Sequence, residues 1–92
     1  MSTIRIPPVL RPSVGGARQV EASGATLDAL LGDLFERFPD VRSKLLTDGG
    51  ELSRFVNVFV NDQDARYLDG LRTPVASGDV VVLLPAMAGG AL

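Results

Sequence analysis

The candidates for chemistry in this chain are main-chain groups, carried by Gly89 and Gly90 in the closing stretch AMAGGAL, Ala86 to Leu92. That stretch has no charge and no reactive side chain. Glycine lacks a Cβ, so such a tail can take nearly any backbone shape and thread a narrow channel. It follows Pro85 and the most strand-like run in the protein, Val80 to Leu84. A glycine tail leaving a buried strand points to a protein that acts through its C-terminus. The dipeptide alone is not specific: Gly15-Gly16 and Gly49-Gly50 also occur, and glycine-rich termini commonly fray. Side chains offer little competition. The chain has no cysteine and no histidine, which removes disulfides, thiolate chemistry and the commonest general base and metal ligand. The pair Asp62-x-Asp64 begins like a calcium loop. Arg66, however, stands where a further oxygen ligand is needed, and no Glu closes the loop. No resident metal or cofactor is expected.

What positions such a tail is a small domain. Ninety-two residues make one domain, which buries only about 60–65% of the surface of its unfolded chain. The composition is 46% hydrophobic, enough for a core without staples. Net charge is −2 with no basic block, so nucleic acid is not an expected partner, since phosphate binding needs clustered Lys and Arg. MSTIRIPPVL does not read as a leader, and no apolar run approaches the roughly 18 residues of a membrane span. No membrane partner and a cytoplasmic location are therefore expected.

The elements read in order as follows. Thr3 to Ile6 alternates as a half-buried strand, ended by Pro7 and Pro8. Pro12, Ser13, Gly15 and Gly16 form a turn, and Ala17 to Ala22 returns as a second strand. Thr26 caps a helix from about Leu27 to Phe38, with Leu27, Leu30, Leu31, Leu34, Phe35 and Phe38 on one face. Pro39 to Leu46 reads as a short second helix, and Thr47 to Ser53 as a loop. Phe55 to Asn61 is a strand with Val56, Val58 and Val60 toward the helix and Phe55, Asn57 and Phe59 away from it. A turn over Asn61 to Asp64 leads to a short strand near Ala65 and Arg66, then to mixed structure over Tyr67 to Val75, read as one tight turn of helix or loop. After the Ser77-Gly78-Asp79 turn, Val80 to Leu84 is a central, buried strand. The predicted architecture is α+β: a small mixed sheet of four to five strands with one main helix across one face. The first and last strands lie parallel at its centre, as in a β-grasp or ubiquitin-like fold. Residues 1–85 form this domain, and residues 86–92 a flexible C-terminal tail.

With these elements in place, the chain resembles the sulfur-carrier proteins of the ThiS and MoaD group, and is especially similar to the CysO type. The resemblance is carried by RFVNVFVNDQDARYLDGLRTPVASGDVVVLLPAMAGG, Arg54 to Gly90, by the opening IRIPPVLRP and by SGATL before the helix. It implies a carrier and not an enzyme. In that family an E1-like activating enzyme uses ATP to adenylate the terminal glycine carboxylate, and a sulfur donor displaces AMP to leave a thiocarboxylate. A sulfur-accepting synthase then consumes it, in cysteine or thio-metabolite biosynthesis. Gly89 and Gly90 would be the sulfur-carrying end. Here Ala91 and Leu92 follow Gly90, so the resemblance implies a processing protease that cuts between Gly90 and Ala91.

For docking, Phe55 and Phe59, with Val81, Leu83 and Pro85 on the matching alternation of the last strand, are expected to form an apolar patch on the open sheet face. Such a patch marks a protein–protein site. Other functions stay open at this level: a ubiquitin-like protein modifier, the small subunit of a molybdopterin-synthase-like complex, or an interaction module with an inert tail. Lys44 is the only lysine, so polymer chains through lysine have one possible linkage.

Overall fold

The computed structural model describes residues 1–85. The stretch that holds Gly89, Gly90 and Ala91 lies outside the described residues. Five strands form one sheet in the order β2-β1-β5-β3-β4. They are β1 (Ser2–Arg5), β2 (Gln19–Ala22), β3 (Val56–Val60), β4 (Gln63–Asp64) and β5 (Val80–Pro85). β1 and β5 run parallel; every other neighbouring pair is antiparallel. Helix α1 (Leu27–Arg37) packs on the sheet, and α2 (Pro39–Leu45) follows directly. This is the β-grasp arrangement expected from the element order.

Local chemistry explains the main helix. The Thr26 hydroxyl accepts the Ala29 N–H at 3.2 Å, satisfying a donor that the first turn leaves without an intrahelical partner. Asp28 sits in the first turn and Arg37 in the last, the favourable ends of the helix dipole. Pro39 then disfavours helical geometry at Phe38, and α2 starts as a separate helix with the proline at its beginning. Leu27, Leu30, Leu31 and Leu34 are fully buried, while Phe35 and Phe38 pack half-buried at the edge of the core. Two contacts fasten α1 to the end of β2: Arg37 donates to the Glu21 carbonyl at 2.6 Å, and the Ser23 N–H donates to Asp33 at 2.8 Å. Gly24 lies where the chain crosses from β2 to α1. A Cβ there would stand 2.3 Å from the Leu30 nitrogen, so only glycine allows this approach.

Two connections differ from the sequence reading. Pro8–Val14 is a 3-10 helix and not only a turn, and it sends Leu10 and Val14 into the core. The turn after β3 is two residues long. Asn61 and Asp62 both have positive φ, 49° and 71°, the backbone of a tight type I′ hairpin. The short strand therefore comes earlier than expected, at Gln63–Asp64, and Ala65–Tyr67 is a 3-10 turn. The tight turn expected within Tyr67 to Val75 is a 3-10 turn, Gly70–Arg72.

Candidate functional site

The site is the end of β5, the strand from which residues 86–92 continue. β5 is clamped on both sides. Ile4 pairs with Val81 and Arg5 with Val82 across the parallel ladder, and Val56 to Val60 pair with Pro85 to Val81 across the antiparallel one. Val81 and Val82 have hydrogen-bonded neighbours on both sides, so opening the strand there breaks two ladders at once. The entry to β5 is fixed as well. The Ala76 N–H donates to Asp79 Oδ2 at 2.8 Å, and the Val80 N–H donates to Asn61 Oδ1 at 3.0 Å. The Gly78 N–H reaches the Met1 carbonyl at 2.9 Å. The bond from Ala76, with a second from the Asn61 side chain, holds the Asp79 carboxyl below its ordinary pKa. Beyond Val82 the pairing with β3 alone continues, from Leu83 to Pro85.

Directly opposed residues share a sheet face, and the registers overturn part of the expected docking patch. Val81 and Leu83 stand opposite Val60 and Val58, and both are buried, at 0% and 1% exposure. They belong to the core under the helices. The open face instead carries Val80, Val82 and Leu84, with Phe59 beside Val82 and Asn57 beside Leu84. Leu84 is exposed, Val80, Val82 and Phe59 half-buried. Phe55 precedes β3 and is 57% exposed. Pro85 is exposed at the strand's end, although its alternation is that of Val81 and Leu83. The assignment of Val56, Val58 and Val60 to the helix side agrees with their burial.

Two clefts meet at Pro85. One, of about 410 Å³, lies toward β3 and α2, with Pro7, Val9, Leu10, Lys44 and Phe55 among its walls. The other, of about 270 Å³, lies toward β1, with Arg5, Pro8, Arg11, Val82 and Leu84. Val9 is 64% exposed. Sequence reading missed Val9, Lys44, Arg5 and Arg11 here, because the topology and not the spacing brings them together. Arg66, set aside as the wrong residue for a calcium loop, has a structural task. Its guanidinium donates to Asn57 Oδ1 at 2.7 Å, to the Ser53 carbonyl at 2.6 Å and to the Val56 carbonyl at 3.0 Å. That clamps the segment that leads into β3. Among the described residues no group of three or more acidic, histidine or cysteine side chains is placed to hold a metal ion. No helix among them is long and apolar enough to cross a membrane.

Comparison with known proteins adds a family to this geometry. The model of the ThiS family matches residues 4–90. The sulfur carrier protein CysO of Mycobacterium tuberculosis is 47% identical over 90 residues, covering 96% of this chain and 97% of its own. The crystal structure of that CysO superimposes with a TM-score of 0.89, at 44% identity, covering 94% of this chain and 99% of the other. A chain from the crystal structure of the Amycolatopsis orientalis BexX/CysO complex does so with a TM-score of 0.91, at 41% identity and 98% and 100% coverage. Small archaeal modifier protein 3 of Haloferax volcanii is 35% identical over 66 residues, 72% of this chain and 71% of that one.

Proposed function

Because this chain belongs to the ThiS family, we propose that it is a sulfur carrier whose working group is the carboxylate of Gly90. The observation that supports this best is positional. The family match runs through Gly-Gly and stops at residue 90, and in sequence that pair follows closely on the central strand β5. A carboxylate is a poor acylating group until it is joined to a good leaving group. An E1-like activating enzyme supplies one by transferring AMP from ATP. Sulfide delivered by a donor then displaces AMP, leaving a thiocarboxylate for a sulfur-accepting synthase of cysteine or thio-metabolite biosynthesis. The carrier contributes no catalytic side chain. ATP is bound by the activating partner.

In this sequence Gly90 is in amide linkage to Ala91. The proposal therefore includes a protease that removes Ala91 and Leu92. The open sheet face, with Phe59, Val80, Val82 and Leu84, is the surface proposed to meet the activating enzyme, and Phe55 and Pro85 stand at its tail end.

The test is intact mass after incubation with ATP, sulfide and a cognate activating enzyme. The chain that ends at Leu92 should remain unchanged. A version that ends at Gly90 should gain the mass difference of one oxygen replaced by sulfur. Activation of the longer chain without loss of Ala-Leu would overturn the processing step. The modifier relative gives a second reading, in which activated Gly90 is joined to lysines. Adducts of the trimmed chain on other proteins, with no thiocarboxylate formed, would favour it.

A further inference from the structure

The two clefts that meet at Pro85 differ in charge from the rest of the molecule. The whole chain has eleven acidic and nine basic residues. The clefts are lined by Lys44 on one side and by Arg5 and Arg11 on the other, with no carboxylate in either wall. Among the described residues the one ion pair is Arg37 with Asp33, so none of these three cations is neutralised within the domain. Lys44 Nζ donates to Ser13 Oγ at 2.6 Å and Arg11 Nε to the Ile6 carbonyl at 3.1 Å. Lys44 is exposed and Arg11 half-buried, and each is held in place by that bond. Between them lies apolar surface: Val9, Phe55, Leu84 and Pro85 are all exposed.

Distance makes this surface relevant. Gly90 is five residues beyond Pro85, so even a fully extended backbone carries it only about 17 Å from the strand's end. Any partner that takes Gly90 into its active site has the mouth of its channel against the surface around Pro85. We infer that the apolar clefts and the three cations around Pro85 form a collar that docks the mouth of a partner's channel, an apolar rim flanked by carboxylates. The inference rests on the carrier reading and specifies its partner's chemistry. The collar extends beyond the open sheet face, through Val9 and Lys44, to the 3-10 helix and α2. Opposed charges at a rim act mostly on the rate of encounter, and salt weakens them. Apolar contact at the centre acts mostly on dissociation.

The experiment measures association and dissociation of the chain ending at Gly90 with its activating enzyme, at about 20 mM and about 200 mM salt. Arg5→Glu with Lys44→Glu should slow association about tenfold or more at low salt, and the difference should shrink at high salt. Val9→Asp should speed dissociation about tenfold. Arg72→Glu, in the 3-10 turn before β5, should change neither rate by more than about twofold. All the altered side chains are exposed, so melting temperatures should match the parent. If the unaltered chain is bound and adenylated but both collar variants keep its rates, the collar is wrong and the carrier reading stands. Faster association of the double variant would likewise overturn it, by showing a basic rim on the partner. If the unaltered chain is neither bound nor adenylated, the carrier reading falls and takes the collar with it.

Discussion

Asp79 shows how one carboxylate serves the strand that follows it. It accepts the Ala76 N–H and a bond from Asn61, which closes the turn from which β5 departs. Both bonds favour the ionised form, so the folded pKa lies below the unfolded one. The sign follows from linkage. A lowered folded pKa means that the unfolded state binds the proton more tightly, so the contribution is present above the ordinary carboxylate range. It is lost as pH falls through the folded value. The parent should lose stability as pH drops below about 4. Asp79→Asn should lower the melting temperature at neutral pH and flatten its fall in acid. Parallel acid profiles for the two proteins would show that Asp79 contributes nothing through its charge. Arg66 illustrates the complementary point. Its sequence neighbours Asp62 and Asp64 drew attention to metal binding, but its three acceptors lie back along the chain at Ser53, Val56 and Asn57. Spacing along the sequence could not reveal them.

At the scale of elements, what was legible depended on polar punctuation. β3 reads VNVFV, and its asparagine between valines told which side faces the core. β5 reads VVVLLP with no polar residue, so alternation gave no parity. Only the pairing of Val81 and Leu83 with Val60 and Val58 settles the side. The α1 stripe was legible because its leucines recur at helical spacing and its cap and stop are explicit. The Pro8–Val14 helix was not, because a short 3-10 helix with two prolines has no such period. SGATL stood out as a pattern, and the structure gives its glycine a reason. A methyl group at Gly24 would press on the backbone of Leu30, which cannot move without shifting α1 against the sheet. Gly24→Ala should cost about 1–3 kcal/mol or more, the range for forced overpacking. Urea denaturation measures it directly. A loss within error would mean that the junction between β2 and α1 is soft, and that the close approach is not needed for the fold.

For the molecule as a whole, the division of labour is between a rigid root and a short reach. On the carrier reading, a β-grasp core with its last strand at the centre gives the tail its starting point, and the proposed collar gives a partner something to grip. On that reading, residues 86–90 set how deep Gly90 can go. If docking and insertion are separate tasks, they should separate in a mutant. Deleting Ala86 and Met87 from the chain that ends at Gly90 removes about 7 Å of maximum reach while leaving the domain and collar untouched. Displacement of a reacting group by even about 1 Å can cost about a hundredfold in rate. The deletion should therefore lower kcat/KM for adenylation at least about a hundredfold, with Kd for the activating enzyme within about twofold of the parent. Replacing the same two residues by Gly-Gly keeps the length and should restore most of the rate. That pair of variants distinguishes reach from side-chain identity. If the shortened chain were adenylated normally, the channel would have to close around a longer part of the domain than Pro85. If the Gly-Gly version failed as badly as the deletion, Ala86 and Met87 would be recognised by their side chains, and the tail would be a read sequence and not a spacer.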